Sequence, residues 1–247
     1  MSLEFNDIVT KKGIIQIIEK NCGYNPGDIS GNSTLLADFT ADVNLAMDYV
    51  LALVFRCGGT WKMDDSNHTK DPVIYTDIKQ GQRDYRFTTD QQNNVILGIS
   101  KVFAKDSATG PYRELRPVDV ETESNTIEFT NETGAEGFPE RYDKMGEAIY
   151  LDYLPPADVA DGIKLYISRE SSYFSASDTI KMPGFAGLFH EFLALRPSFQ
   201  FAYRNSLANV NRLENEMLKI EKAIIAHYTR RDKDDRPALS SRTICAE

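Results

Sequence analysis

The spacing of apolar positions divides the chain into three stretches. Over residues 5–20, Ile8, Ile14, Ile15, Ile17 and Ile18 fall at mixed helical steps and predict a helix that stops at Asn21-Cys22-Gly23. Turn formers fill 25–33, and Asn32 or Ser33 then caps a second helix over 34–56. Along it Leu35, Phe39, Val43, Ala46, Val50, Leu53 and Val54 step by three and four to make one apolar stripe, and Gly58-Gly59 ends it. From Thr60 the period becomes two. Segments 72–78, 84–88, 95–104, 112–120, 126–130, 148–153 and 162–171 read as strands, with turn signals such as 107–110 and 133–137 between them. Short strands with no helix-length pattern between them predict an antiparallel sandwich and argue against a parallel nucleotide-binding sheet. The helical period returns after Pro183-Gly184. Phe185, Leu188, Phe189, Phe192 and Leu193 fill one face, and Pro197 is expected to interrupt or restart that helix. In a last helix over 206–228, Val210, Leu213, Met217, Ile220 and Ile224 form a coiled-coil seam, a pattern that more often packs inside its own domain than between chains.

The apolar stripes at the two ends of the chain need partners, and the nearest are each other. The expected fold is therefore α+β: a discontinuous helical bundle with an inserted antiparallel β-sandwich and a flexible C-terminal arm. The boundaries are 1–58 and 181–228 for the bundle, 59–180 for the sandwich and 229–247 for the arm. Residues 229–247 carry five basic and four acidic side chains, with Leu239 and Ile244 as the sizeable apolar anchors, too few to build a core.

Composition narrows the function classes. The 247 residues are 41% hydrophobic and 26% charged, ordinary for a globular chain. No run approaches the ~18 apolar residues that span a bilayer, and the N-terminus lacks a basic region followed by an apolar run, so a cytoplasmic site of synthesis is expected. A net charge of −9 argues against a general nucleic-acid binder but suits a conduit whose wall repels phosphate. Three widely spaced cysteines, Cys22, Cys57 and Cys245, suggest neither a disulfide framework nor a zinc site. The Asn-X-Ser/Thr triplets at Asn32, Asn67 and Asn131 read as chance matches.

Candidate chemistry is sparse. His190-Glu191 has no second histidine four residues on, and His190 reads as a half-buried bundle residue. His227 lies near a helix C-terminus, where it suits the macrodipole, and His68 lies in a polar turn. The oxygen-rich stretch 61–71 lacks the spacing of a calcium loop and reads as a capped turn. No phosphate loop, nucleophile elbow or Cys-X-X-Cys pair is present, so neither catalysis nor a cofactor or metal is expected. Tyr166, Tyr173 and Phe174, together with Phe199, Phe201 and Tyr203, read as aromatics without an obvious burial site and point to a protein interface.

The segments Trp61-Lys62-Met63-Asp64-Asp65-Ser66-Asn67, Asp77 to Tyr85, Gly137-Phe138-Pro139-Glu140-Arg141-Tyr142, Leu165 to Arg169 and Met182-Pro183-Gly184-Phe185 occur in this order between two helical ends. In order and spacing, over about 35–230, this resembles the head-to-tail adaptor, or neck ring, proteins of tailed bacteriophages. The resemblance implies a non-enzymatic virion protein, assembled in the host cytoplasm, that forms a ring of about twelve copies beneath the portal. It implies contacts with the portal and with the next neck or tail ring, and a lumen through which double-stranded DNA passes unread. It also implies that the C-terminal arm docks on the portal through Arg236, Pro237, Leu239, Arg242 and Ile244. The alternatives are another neck or tail ring component, such as a stopper, a β-sandwich module on a helical stalk that binds a glycan or receptor, and a glycan hydrolase.

Overall fold

The computed structural model describes residues 2–57, 71–118 and 136–234. The chain divides into two compact units, one built from Met1–Thr69 with Ser171–Glu247, the other from Lys70–Glu170. Among the described residues there are four α-helices and two sheets, largely antiparallel, which do not close into a barrel.

The first helix of unit 1, α1 (Ile14–Cys22), begins nine residues later than the apolar spacing predicts. Residues before it have other partners: the Phe5 amide donates to the Lys181 carbonyl at 2.8 Å and the Asn6 amide to the Thr179 carbonyl at 3.0 Å. Asp7 then accepts from the amides of Val9 and Thr10, and Lys11 takes a left-handed φ of 56°. The Glu4 and Phe5 carbonyls turn back to accept from the Ile14 and Ile15 amides, so backbone satisfies two of the free donors that every helix N-terminus presents. Gly23, with φ 80°, ends the helix in the left-handed conformation. Helix α2 (Ser33–Arg56) starts where Asn32 Oδ1 accepts from the Thr34 and Leu35 amides at 3.0 and 3.2 Å.

Residues 171–180 belong to unit 1, not to the strand block. Asn44 clamps Phe174 by accepting from its amide and donating to its carbonyl, both at 2.9 Å, and Phe174 stacks on Phe5 at 4.6 Å between centroids. A 3-10 turn (Gly187–Phe189) leads into α3 (Phe192–Arg204). Pro197 lies inside α3 and neither interrupts nor restarts it. A proline there costs about 3 kcal/mol, which the burial of Phe192, Leu193, Ala194, Leu195 and Ala202 offsets. Helix α4 (Val210–Asp234) takes in 229–234, the first six residues of the expected arm. One buried cluster joins all four helices through Ile15 and Ile18, Val43, Met47 and Val50, Phe192 and Leu193, and Ile224 and Tyr228. The 210–224 seam therefore packs within its own unit: Leu213 and Ile224 are fully buried, and Val210, Met217 and Ile220 are partly buried beside them.

In unit 2 the strands are β1 (Val73–Ile78), β2 (Asp84–Arg86), β3 (Ile96–Ala104), β4 (Arg113–Glu114), β5 (Arg116–Pro117), β6 (Arg141–Met145), β7 (Ala148–Leu151) and β8 (Val159–Arg169). One sheet runs β1-β8-β3-β4 and the other β2-β7-β6-β5. All pairs are antiparallel except β5 with β6, which is parallel and departs from the all-antiparallel expectation. A single buried cluster draws Ile74, Val102, Ile163 and Leu165 from the first sheet and Tyr85, Tyr142, Ile149 and Leu151 from the second.

The expected strand over 112–120 is two short ones in different sheets, because the Leu115 amide donates to Val102 and the Arg116 amide to Glu140. Strand β6, Arg-Tyr-Asp-Lys-Met, is absent from the sequence reading because only Tyr142 in it is buried. The expected strand over 126–130 lies outside the described residues.

Near its start β8 carries extra residues opposite β1, with Asp161 at φ 48°. There Gly162 packs on Ile78 so closely that an added Cβ would lie 2.6 Å from Ile78 Cγ1. Gly162→Ala should cost about 1–3 kcal/mol by overpacking, measurable as earlier exchange of the Leu165 amide in denaturant.

Candidate functional site

The arm residues Arg236, Pro237, Leu239, Arg242 and Ile244 lie outside the described residues, as do Cys245, His68 and most of the oxygen-rich 61–71 stretch. What the described residues offer is surface more than reaction chemistry.

The reactive side chains are engaged structurally. His190 is more deeply buried than the half-buried position expected, at 2% exposure, with both ring nitrogens bonded to backbone. His227 meets the Phe189 and Tyr228 rings edge to face. Burial pushes the Cys22 thiol up to about 11, which leaves it unreactive at neutral pH. Asp90 is buried and pairs with Arg169 at 3.1 Å while gathering the Gln92 and Asn94 amides into a turn. Burial works against its charge, but hydrogen bonds from Asn94, Gln92 and Arg169 prevail and hold the carboxyl below its usual range. Among the described residues no three His, Cys, Asp or Glu side chains are placed to hold a metal ion, and no helix is long and apolar enough to cross a membrane.

Most of the expected interface aromatics are packed instead. Phe174 is buried, Phe201 meets Tyr24 at 5.6 Å and Phe39 at 5.8 Å, and Phe199 joins the Leu195–Leu213 cluster. Strand alternation points the wrong way for Phe174 because the chain has already left the sheet at Arg169. Tyr203 stays open, and Tyr173 is partly open with its hydroxyl donating to Asp48 Oδ1 at 2.5 Å.

Exposed aliphatic side chains of unit 1 lie on helices, as Leu45, Leu218 and Ile225 do, and outside the α-helices, where Ile8, Val9, Ile180 and Leu188 are the most open. Ile8 and Val9 follow the 5–6 segment that bonds to 181 and 179, on either side of Ile180, and the three are 60%, 86% and 75% exposed. Leu188, 74% exposed, follows Gly187, against which Ser2 at the start of the same segment is packed. The sequence reading placed Ile8 and Leu188 on buried helix faces, and no local signal marks them as exposed.

Two further surfaces stand out. In unit 1 a cleft of about 660 Å³ is lined by Ile17, Leu195 and Ile220 together with Lys20, Glu191 and Lys219. In unit 2 the register Tyr75↔Lys164↔Phe103 sets an aromatic row across β1, β8 and β3. The Lys164 ammonium lies 4.7 Å from the Tyr166 ring and 5.7 Å from that of Tyr112.

No protein-family model matches the chain, and no curated protein matches it in sequence.

Proposed function

We propose that this chain is a structural ring component of a tailed-phage neck, a head-to-tail adaptor between portal and tail, and that it is not an enzyme. The observation that carries the reading is the exposure of Ile8, Val9, Ile180 and Leu188, the most open aliphatic side chains of the helical unit. A surface of this kind suits head-to-tail contact with a differently shaped patch on the next copy, the arrangement that closes a ring. In this reading unit 1 serves as the bundle of the ring and unit 2 as a sandwich carried by it. The −9 net charge suits a lumen through which DNA slides without being bound. The chain beyond Asp234 carries the portal contact through Arg236, Pro237, Leu239, Arg242 and Ile244. The ring has about twelve copies and meets the next neck or tail protein on its other side, in the virion.

Light scattering of the purified protein, alone and with a portal of the same phage, tests this. The expected result is a closed oligomer, reduced to monomer by Ile180→Asp with no loss of melting temperature. A protein that remains monomeric at tens of micromolar, with portal present, overturns the reading.

A second reading rests on the Tyr75, Phe103, Lys164 and Tyr166 row, whose ring faces suit stacking against a sugar. Here a glycan array binds the wild type, and Tyr75→Ala loses that binding.

A further inference from the structure

His190 is bonded at both ring nitrogens by partners that allow one protonation state. The Leu3 amide, which can only donate, reaches Nδ1 at 3.0 Å, and the Phe185 carbonyl, which can only accept, lies 2.8 Å from Nε2. Nε2 therefore carries the hydrogen and Nδ1 a lone pair: the ring is neutral and in one tautomer. A proton added at Nδ1 would face the Leu3 N–H donor to donor, in a site with almost no access to water.

What the Leu3 bond holds is the segment that precedes Glu4. Downstream of it the segment is fastened by the Phe5 and Asn6 amides on Lys181 and Thr179, by the Phe5–Phe174 stack, and by its own carbonyls on the first turn of α1. We propose that His190 is an acid-sensitive latch, whose protonation frees Ser2 and Leu3 from the helical unit while Phe5 and the helices stay packed.

The groups around the ring agree with this direction. Burial, the largest influence on His190, pushes it below its ordinary value. Glu4 lies on the incoming segment, Glu191 beside it on the entry to α3, and His227 and Tyr228 on α4. None of their side chains bonds the ring; the Tyr228 hydroxyl meets the Ala186 amide, and His227 lies on Phe189. Because the folded value lies below the unfolded value of about 6.5, the latch is fully closed above that pH. Its contribution is lost as pH falls from there toward the folded value.

Hydrogen exchange of the full-length protein between pH 7.5 and 4.5, corrected for intrinsic rates, tests the latch. The Leu3 amide should lose up to about tenfold in protection per pH unit between about pH 6.5 and the His190 midpoint read by NMR, while the Phe5, Val50 and Ile224 amides keep theirs. In His190→Gln, whose amide cannot take up a proton, Leu3 protection should not vary with pH. Leu3 protection that is flat in the wild type, or that falls only together with Val50, overturns the proposal. The wild-type measurement decides the matter even if the variant does not fold.

Discussion

A Val50→Asp variant is expected to lose the entire helical unit in one step. Val50 has no exposure and lies in the cluster that α1, α2, α3 and α4 share. A carboxylate there has neither water nor a partner, and the cost of burying it, on the order of 5 kcal/mol, is a large part of an ordinary domain's stability. Amides of α3 and α4, more than 140 residues further along the chain, should therefore exchange as fast as those of α2. The Leu165 and Ile149 amides belong to the separate core of unit 2 and should stay protected. Continued protection across 192–228 in the variant would show that the two ends of the chain do not share a core.

Glu19→Ala should be nearly as damaging, through a single carboxylate. Glu19 is 2% exposed, and its oxygens accept from the amides of Gly27, Ile29 and Ser30 at 3.1, 3.0 and 2.9 Å and from the Ser30 hydroxyl. It thereby folds 23–31 into a plug that carries the buried Ile29 into the core. Hydrogen bonds to a charged acceptor contribute about 1.5–3 kcal/mol each. Because these four share one group, a total loss of about 3–5 kcal/mol is expected, read as a drop of roughly 6–20 °C in melting temperature. Glu19→Gln, which keeps one acceptor oxygen, should recover part of it. A melting temperature within a degree or two of wild type in Glu19→Ala would mean that the loop does not depend on this carboxylate.

The elements legible from sequence are those whose neighbours are set by their own periodicity. Helix α2 shows its stripe and its Asn32 cap, and α4 shows its seam, because each presents one face to one core. Residues 5–13 are misread because their isoleucine and valine spacing competes with backbone pairing to 179–181, and distant partners leave no mark on local spacing. The split of 112–120 has the same origin: adjacent amides at Leu115 and Arg116 find acceptors in two different sheets. The interface was sought among aromatics, yet Phe174 and Phe201 are core residues. The most open aliphatic side chains lie outside the α-helices, where no period predicts exposure. Glu19 is invisible for a related reason: in sequence it is one acidic residue among 37, and only the folded loop gives it four donors.

The discontinuity of unit 1 sets an order of events during synthesis. Helix α2 leaves the ribosome with Phe39, Val43, Val50 and Val54 bare, and their partners in α3 and α4 lie beyond the intervening Lys70–Glu170. At about 5–20 residues per second, that insertion alone takes roughly 5–20 s to make. It has its own core and can complete it while the first two helices still wait. Nascent chains stalled before Phe192 should therefore carry a protected Lys70–Glu170 unit and an α2 accessible to chaperones. The unit enclosed between the two parts of the other is the first to mature, and the unit that surrounds it in sequence is the last.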